Sequence, residues 1–533
     1  MTDRVTKLLP WLVAASAAAL RVLLIFRYRF DSDEPQHMHV AWGWAHGLVQ
    51  HRDLFDNHMP LFHIVTSPLF RFSEDPRLLF AARLLMLPLF AITLMLVWEI
   101  ASRLEFDPLT STLLAALVPP FYLGTLEYRT DDLWVVFWLA MILALLSSAP
   151  RLRRAAWAGI FLGLAFAVSL KSILFLCAVG AATAITLLLT RTAAPRLSSI
   201  AVFLGSACTP PLLIAGLYAL SGSWKPFFYD VVGHNIVPAE HTWRMFWFIA
   251  GYPVARFVVT RIARSDGDPS LVRRRVFIAA AALSYFLVLI SFWPILNLET
   301  FLPFYPLLAL GAAGLLTSWR PERRAVAILC AAAQVVVIVV VASPWKDRAE
   351  EEIALVEEVL SLTRIEDPVM DLKGECVFRH RSYPLVIESL TNHRLRLGML
   401  RDEIAGVLAQ TATHVVANYE RLTPAARSFV ERNYLEWGRV RVAGKRLPPL
   451  QPGTQSSFTI EVPGPYVFVS ERRAMRVIID ATERNGEVAL ARGRHTIRVP
   501  ALVPDGALVW AGAMRMGLMG RMGPMGPMGG YHL

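Results

Sequence analysis

The sequence predicts a mainly α-helical, polytopic membrane protein that carries an α/β and β-rich water-soluble domain at its C-terminal end. Three observations support this fold class. Of the 533 residues, 55% are hydrophobic and only 18% are charged, with a mean hydropathy of +0.46, whereas soluble domains average about 25% charged residues. Apolar runs long enough to cross a bilayer recur as far as Val341. From Ser343 onward the composition becomes that of a soluble protein.

The apolar runs predict about eleven transmembrane helices. An α-helix rises about 1.5 Å per residue, so about 20 apolar residues cross the hydrocarbon core. Some runs are shorter than this, and the count is therefore open by about two. The predicted spans are Leu8–Phe26, Leu78–Ile100, Leu109–Leu126, Leu133–Leu145, Ala155–Leu170, Ile173–Thr190, Ile200–Leu220, Met245–Val259, Val276–Pro294, Thr300–Leu316 and Ala325–Val341.

Positive charges in the loops predict the orientation of these spans. By the positive-inside rule, the face that collects lysine and arginine is cytoplasmic. The segments around Asp33, Asp131 and Lys171 then lie on the outer face, together with everything after Ala342. We therefore expect a multi-pass protein of the inner membrane with an extracytoplasmic site and C-terminal domain. The basic loops that alternate onto one side contain Arg4, Lys7, Arg103, Arg151–Arg154, Arg191, Arg196, Arg261–Arg275 and Arg320–Arg324.

The C-terminal part divides into a folded region and a tail. We predict a transmembrane catalytic domain over residues 1–343, a soluble extracytoplasmic domain over 344–513 and a disordered Met/Gly-rich tail over 514–533. Within the soluble domain, apolar positions at helical spacing predict an amphipathic helix over Arg348–Thr363. Short runs separated by glycine and proline predict strands. These predicted strands are Ser457–Val462, Tyr466–Val469, Arg476–Ile479, His495–Val499 and Ala507–Trp510.

Composition also excludes several classes of function. The net charge of +11 reflects arginine runs between apolar spans, which topology explains without a nucleic acid partner. Four scattered cysteines form neither a disulfide framework nor a zinc motif. The first apolar run is similar to a signal sequence, but Arg27-Tyr-Arg29 follows it where a cleavage site has small residues. We therefore expect a retained helix.

Ionisable residues are concentrated directly after the first span. Five carboxylates and six histidines lie between Asp31 and His63, and such residues beside a membrane span indicate function more often than anchoring. Asp33-Glu34-Pro35 can alternatively cap a helix, because proline is favoured in a first helical turn. On such a helix His37 lies one turn after Asp33, so the two side chains can share a face. An Asp–His pair can tune a general base or, on weaker evidence, bind a metal.

Two further groups of charged residues lie at the predicted outer ends of spans. Glu127-Tyr-Arg-Thr-Asp-Asp132 combines carboxylates with Arg129, and is either a structural ion-pair cluster or part of a site. Lys171 is a single cation between two apolar spans. It either extends to the lipid headgroups or binds an anionic phosphate.

These motifs resemble those of GT-C superfamily glycosyltransferases. The similarity is greatest to the branch that contains protein O-mannosyltransferases and lipid A aminoarabinose transferases, and it extends from Leu8 to about Val341. The first outer loop carries the most specific part, and the other motifs follow in the family's order. The matching residues are Asp33-Glu34, Gly47, Arg52-Asp-Leu-Phe-Asp-Asn-His58-Met-Pro-Leu61, Arg129-Thr-Asp131, Ser169-Leu-Lys171 and Thr300-Phe-Leu-Pro-Phe-Tyr-Pro306.

The resemblance implies an inverting transferase that uses a polyprenyl-phosphate-linked sugar. The family's catalytic base corresponds to Asp33, and its phosphate-binding lysine to Lys171. Its second acidic motif corresponds to Asp131, which the sequence cannot separate from Asp132. Many members carry Lys or Arg before the late Leu-Pro motif, where this chain has Asn297, Glu299 and Thr300. This departure leaves more of the donor binding to Lys171 and Arg129.

We therefore predict a membrane glycosyltransferase that moves a hexose or pentose from a polyprenyl-phosphate donor to an envelope acceptor. The acceptor class stays open between glycan, lipid and protein, and membrane lipids are the other partners. The sequence requires no cofactor, although a divalent cation is compatible with it, and it predicts no metal ligands. The predicted catalytic residues are Asp33, Glu34 and Asp131, and the predicted substrate-binding residues are His37, His58, Arg129, Asp132 and Lys171.

Two other classes of protein share parts of this pattern. A transporter or lipid flippase would place ionisable groups near the bilayer midplane and contain repeats, whereas here the acids lie at the ends of spans. A non-catalytic membrane anchor that presents the C-terminal domain would leave the first-loop acids without a role. The distance between Asp33 and Asp131 discriminates the anchor from the enzyme, because only an active site needs them close together.

Overall fold

The computed structural model describes residues 2–238, 242–317, 323–470 and 473–517. These residues form two compact units. The first contains the described residues up to His37, together with Gly43–Phe72 and Leu78–Ala349. The second contains Met38–Trp42, Ser73–Arg77 and the described residues from Glu350 onward.

The first unit is built from α-helices. Its longest helices consist almost entirely of apolar residues, as the bilayer requires of segments whose backbone groups must be satisfied internally. Its helices are α1 Thr2–Arg27, α2 Asp33–Ala45, α3 Leu61–Thr66, α4 Leu78–Leu84, α5 Met86–Arg103, α6 Pro108–Ala116, α7 Pro119–Gly124, α8 Thr130–Leu146, α9 Arg151–Val168, α10 Ile173–Thr190, α11 Leu197–Leu220, α12 Trp224–Phe228, α13 Met245–Ala263, α14 Pro269–Phe292, α15 Phe304–Thr317 and α16 Arg323–Ala342.

Within the described residues, seven helical segments are long and apolar enough to cross a membrane. The chain is thus a multi-pass membrane protein by length and composition, but the predicted count of about eleven spans is not confirmed. The predicted spans outside this set are helical, yet shorter or more highly charged. The seven segments are Leu8–Arg27, Leu78–Arg103, Leu170–Thr190, Leu197–Leu220, Met245–Ala263, Pro269–Phe292 and Arg324–Ala342.

The predicted span Leu109–Leu126 shows why the count differs. It is divided into α6 and α7 at Pro119 and Pro120. Proline has no backbone N–H and forces the preceding residue out of the helical region, and Val118 indeed has a ψ of 114°. The composition of this run is apolar throughout, so only the two prolines signal the break.

Helices α9 and α11 pack closely because α9 carries two glycines four residues apart. A Cβ atom on Gly159 would collide with the carbonyl oxygen of Phe203, and one on Gly163 would lie 2.5 Å from that of Ala207. Small residues at this spacing let two membrane helices approach backbone to backbone. Helix α9 also leads directly to Lys171, so this contact fixes the helix that positions a predicted site residue.

Replacing Gly163 with alanine is expected to destabilise the protein by about 1–3 kcal/mol, because the added methyl group overpacks the contact with Ala207. Thermal unfolding of the detergent-solubilised protein measures the effect. Gly180→Ala in α10 is the matched control, since nothing lies within 4 Å of a Cβ atom there. Equal melting temperatures for the two variants would show that the close approach is not needed.

The second unit combines helices with two β-sheets. Its helices and strands are α17 Glu350–Leu362, α18 Ser389–Arg396, α19 Ile404–Gln410, α20 Pro424–Asn433, α21 Ala511–Gly517, β1 Val369–Met370, β2 Val415–Ala417, β3 Tyr434–Trp437, β4 Val440–Leu447, β5 Gln455–Ile460, β6 Gly464–Ser470, β7 Arg473–Ala474, β8 Arg476–Ile479, β9 Thr482–Asn485, β10 Glu487–Leu490, β11 Gly493–Arg498 and β12 Gly506–Trp510.

The larger sheet of this unit has the order β1-β2-β4-β12-β6-β10, with β3 beside β4 and β7 beside β6. Among the described strand pairs of this sheet, only β1–β2 is parallel. The smaller, antiparallel sheet has the order β5-β11-β8-β9. The paired residues Phe468 and Leu508 are fully buried in the hydrophobic core of this unit. The predicted β-rich C-terminal region is therefore confirmed.

The predicted tail over 514–533 lies mostly outside the described residues. Its first four residues belong to α21, which ends at Gly517. The predicted amphipathic helix corresponds to α17, whose residues Val356 and Val359 are buried.

Candidate active site

Helix α2 begins at the acidic motif that follows the first span. The backbone N–H of Asp31 donates to Glu34 Oε1 at 2.9 Å, and that of Asp33 donates to Asp31 Oδ1 at 3.1 Å. These bonds satisfy N–H groups that a helix start leaves without partners. The predicted helix is present and ends at Ala45, before Gly47 with its left-handed φ of 81°. Part of the acidic motif therefore serves as a helix cap.

Glu34 is fully buried and is held by an arginine. Arg83 donates to it through Nε at 2.8 Å and through Nη2 at 2.6 Å, and the N–H of Tyr128 donates to Oε2 at 2.9 Å. This bidentate pair joins α2 to α4 and to the segment before α8. Both carboxylate oxygens of Glu34 are therefore occupied by structural contacts. Its catalytic role stays a prediction.

Arg129 brings the two acidic motifs together. Its guanidinium donates to Asp33 Oδ2 at 2.7 Å and to Asp31 Oδ1 at 2.9 Å. Its side chain is only 6% exposed. Three more carboxylates lie within ion-pair distance of the guanidinium, Asp131 at 3.5 Å, Glu299 at 3.5 Å and Glu127 at 3.7 Å. Asp33 and Asp131, 98 positions apart in the sequence, thus share one cation.

Lys171 contacts the same cluster through Asp131. Its Nζ lies 2.7 Å from Asp131 Oδ1, and it also lies 5.3 Å from the centre of the Trp134 ring. A short 3₁₀ turn, Leu170–Ser172, presents the lysine between α9 and α10, and the hydroxyl of Ser169 accepts the N–H of Lys171. Although burial opposes ionisation, Lys171 and Arg129 lower the pKa of Asp131. Asp131 is therefore a carboxylate that two cations hold in its charged form.

Asp132 lies on a different side of α8. It is buried, and neither carboxylate oxygen has a hydrogen-bond partner within the described residues. Burial raises the pKa of Asp132 well above its ordinary value, even though Arg21 opposes the rise. The contacts thus separate the two neighbours, because Asp131 pairs with Lys171 and Arg129, whereas Asp132 has no hydrogen-bond partner among the described residues.

A second group of polar side chains surrounds Asp56. This buried carboxylate accepts hydrogen bonds from Gln36 at 3.2 Å, from Gln50 at 2.9 Å and from His58 at 2.9 Å. Burial alone would raise its pKa, but His58 and further histidines lower it to about 2. Although burial lowers it, Asp56 raises the pKa of His58 above its ordinary value, and the charges of Lys171 and Asp131 have smaller effects.

The structure thus assembles most of the predicted site residues. Asp33, Arg129, Asp131 and Lys171 form one chain of ion pairs. His37 and His58 belong to the Asp56 group, whereas Glu34 pairs with Arg83 and Asp132 is buried without a hydrogen-bond partner among the described residues. Sequence reasoning missed Arg83, Asp56 and Glu299 as partners in these contacts. Arg83 carried a usable signal, because an arginine at the start of an apolar run is costly without a carboxylate.

Comparison with known proteins supports the fold. No protein-family model and no curated protein matches the chain. Two crystal structures of ArnT from Cupriavidus metallidurans do match, one bound to undecaprenyl phosphate and one in the apo state. Each has a TM-score of 0.52 and 13% sequence identity, and covers 81% of this chain and 97% of ArnT. The chain therefore has the fold of these two structures, in agreement with the fold that the resemblance of the motifs implied.

Proposed function

We propose that this protein is a membrane glycosyltransferase that moves a sugar from a polyprenyl-phosphate donor to an acceptor hydroxyl. The observation that carries the proposal is the contact of Asp33 and Asp131 with the same Arg129 guanidinium, with Lys171 on Asp131. A transferase of this kind needs a carboxylate base and a cation for the phosphate within one site. The alternative of a non-catalytic anchor gives no reason for these distant residues to meet.

In the proposed reaction Asp33 is the general base. Its carboxylate accepts the proton of the acceptor hydroxyl as that oxygen forms a bond to the anomeric carbon. The bond from this carbon to the phosphate oxygen breaks, and the polyprenyl phosphate leaves with the electron pair. Attack opposite to the leaving group inverts the anomeric centre. Arg129 orients Asp33 through the 2.7 Å ion pair.

The donor class has support from the solved ArnT structure, which contains undecaprenyl phosphate. A lipid-linked phosphate fits a site that has Lys171 between the two apolar helices α9 and α10, since the side chain of Lys171 is 17% exposed. We further propose that this site and the second unit are extracytoplasmic, in the predicted domains 1–343 and 344–513. The arginine-rich loops support that orientation.

Charge balance makes Lys171 important for donor binding. Five carboxylates approach Arg129, so a phosphate entering the site needs a cation that can exchange partners. Lys171 can transfer from Asp131 to the phosphate because its ammonium is a compact, mobile donor. Burial raises the pKa of Glu127 well above its ordinary value against the effect of Arg129, which reduces the negative charge that the phosphate meets.

Lys171→Met is therefore expected to raise the apparent KM for the donor by about 10–100-fold, the equivalent of one charge-assisted hydrogen bond. The turnover number at saturating donor should change much less, since the base is intact. Steady-state kinetics with a varied donor concentration measures both. Lys171→Arg should retain most of the affinity, and Lys346→Met is the control for loss of an exposed lysine. An unchanged KM in Lys171→Met would contradict the phosphate role.

A direct assay tests the proposed function itself. Purified protein in nanodiscs is incubated with a panel of polyprenyl-phosphate sugars, and release of free polyprenyl phosphate is followed by chromatography in the presence of envelope extracts as acceptors. We expect one donor to be consumed, and Asp33→Asn to consume it at least about 100-fold more slowly. Net movement of intact donor between leaflets without cleavage would instead favour the flippase alternative.

A further inference from the structure

The smaller sheet of the second unit has one apolar face and one basic face. Successive side chains of a strand point to opposite faces, and the buried residues Phe458, Ile460 and Ile497 belong to the hydrophobic core of this unit. The residues between them therefore point away from the core. These outward positions on β5 and β11, and directly before β11, include Ser457, Thr459, Arg492, Arg494, Thr496 and Arg498.

The three arginines of this outward face are exposed and have little negative charge beside them. Arg494 donates to the hydroxyl of Ser457 at 3.0 Å, a neutral partner. Arg492 pairs with Glu461 at 3.0 Å, whereas neither Arg494 nor Arg498 forms an ion pair with a carboxylate of the described residues. Six residues of extended chain separate Arg492 from Arg498, so the arginines are spread over about 20 Å.

A groove in the same unit extends the row of arginines. It has a volume of about 370 Å³, and Arg492 lines it together with Arg432 and Lys445. Lys445 donates to the backbone carbonyl oxygen of Thr459 at 3.0 Å, and Arg432 donates to the hydroxyl of Ser428 at 2.8 Å. Both cations thus contact neutral acceptors. We call Arg432, Lys445, Arg492, Arg494 and Arg498 the basic strip.

The basic strip belongs to a wider asymmetry of charge. Residues 439–498, which include four of its five members, contain 11 Lys and Arg but 5 Asp and Glu. Residues 350–438 contain 10 Lys and Arg but 15 Asp and Glu. Charge of one sign on one part of a surface raises the local concentration of an oppositely charged ligand. The strip therefore favours a polyanion over a neutral ligand.

The side chains between the arginines indicate which polyanion fits. Ser457, Thr459 and Thr496 place hydroxyl groups there, and a hydroxyl can both donate to and accept from the hydroxyls of a sugar. A surface that binds a bilayer adds exposed Trp, Phe or Leu to its cations, and a protein interface is enriched in aromatic residues and Met. The outward positions of β5 and β11, two strands that are described throughout, contain none of these residue types.

We propose that the basic strip binds an acidic polysaccharide of the cell envelope, a chain of sugars that carry carboxylate or phosphate groups. The acidic groups pair with the arginines, and the sugar hydroxyls bond to Ser457, Thr459 and Thr496. The inference deepens the proposed function and rests on it only for the role of this glycan as the acceptor. The acceptor class, which the sequence leaves open between glycan, lipid and protein, is thereby narrowed to an anionic glycan.

Binding can be measured without any sugar donor. The full-length protein in nanodiscs of zwitterionic lipid is titrated with polygalacturonate, phosphomannan and dextran, whose sugars carry carboxylates, phosphates and no charge. We expect the acidic polymers to bind, with an affinity that falls as salt is raised because exposed ion pairs are screened. The tighter of the two identifies the acidic group. Equal binding of dextran would overturn the proposal, as would binding of phosphatidylglycerol vesicles without binding of either acidic polymer.

Single substitutions connect this binding to the strip. Arg494→Gln and Arg498→Gln should each weaken binding of the tighter polymer about fivefold, the upper contribution of an exposed ion pair, and their combination should weaken it more than about 10-fold. Arg484 in β9 is the matched control, because it is exposed but pairs with Val477 and so lies on the other face of the sheet. An equal loss in Arg484→Gln would show an effect of net charge alone and overturn the strip.

A variant that keeps every charge tests the groove. A Cβ atom on Gly406, which lines the groove, would meet nothing within 4 Å. Gly406→Phe should therefore fill the space and weaken binding of the acidic polymer without lowering the melting temperature. Unchanged affinity in this variant would remove the groove from the proposed binding surface.

The role of the glycan as acceptor has a separate readout. Envelope glycans are separated by charge, and the acidic and neutral fractions are added to the assay for release of polyprenyl phosphate. We expect the acidic fraction to stimulate release, and Arg494→Gln to raise the glycan concentration needed for half of the maximal rate. Stimulation by the neutral fraction alone would overturn the acceptor role. Because the binding assay contains no donor, an inactive enzyme leaves a binding result standing, and absence of binding leaves the result for Asp33 standing.

Discussion

Asp33→Asn is expected to lower the turnover number of sugar transfer by about 10²–10⁴-fold, the usual contribution of a general base. Asparagine keeps the size of the side chain but cannot accept the proton of the acceptor hydroxyl. The ion pair with Arg129 at 2.7 Å is lost as well, but Arg129 retains its contacts with the other carboxylates. Single-turnover measurements with the donor identified in the panel report the chemical step directly.

A structural role for Asp33 predicts a different result. If the residue only stabilised the start of α2, the variant would melt at a lower temperature and the folded fraction would retain normal turnover. We expect the reverse, with a melting temperature and a donor KM close to those of the parent protein. Asp266→Asn, at an exposed aspartate, controls for the loss of a carboxylate. Near-normal turnover in Asp33→Asn would remove the assignment of the base.

Arg83→Met is expected to destabilise the protein by about 3–5 kcal/mol, because it leaves Glu34 buried without its cation. Both residues are essentially inaccessible to solvent, and the pair includes two short N–H···O contacts of 2.6 and 2.8 Å. Arg83 also donates to the carbonyl oxygen of Tyr28 at 2.8 Å. Its removal therefore affects α2, α4 and the segment that follows α1.

Thermal unfolding in detergent and the yield of folded protein measure this effect. Arg77→Met removes an exposed arginine six positions earlier in the sequence and should change neither. The double variant Glu34→Gln with Arg83→Met should be less destabilised than the sum of the single variants, since the uncompensated charge is gone. A fully additive result would show that the two side chains are not energetically coupled.

The sequence was sufficient for the fold class because long apolar runs predict membrane helices and short runs bounded by glycine and proline predict strands. The predicted helix after Asp33 and the C-terminal strands correspond closely to α2 and to strands such as β6 and β12. The number of spans was less predictable. Hydropathy treats Leu109–Leu126 as one run, and a Pro-Pro pair divides it, so composition alone overestimates the length of continuous helix.

The site was predictable in its residue types but not in its pairing. Asp131 and Asp132 are adjacent in α8, where neighbouring side chains point about 100° apart, and only the packing of the helices decides which one meets Lys171. Glu34 presents the same problem, since its partner Arg83 is 49 positions away. His63 carries no motif of its own. Its 3.0 Å hydrogen bond with Nδ1 of His37 depends on the contact between α2 and α3.

The glycine contact between α9 and α11 affects how the proposed donor site could be redesigned. Lys171 follows α9 after two residues, so its position depends on how α9 packs against α11 at Gly159 and Gly163. A displacement of about 1 Å in a catalytic site can cost 100-fold in rate. Under the proposed function, substitutions at the contact between α9 and α11, far from any reacting atom, should therefore alter donor selectivity. This contact is a place to seek variants that accept lipids of another length.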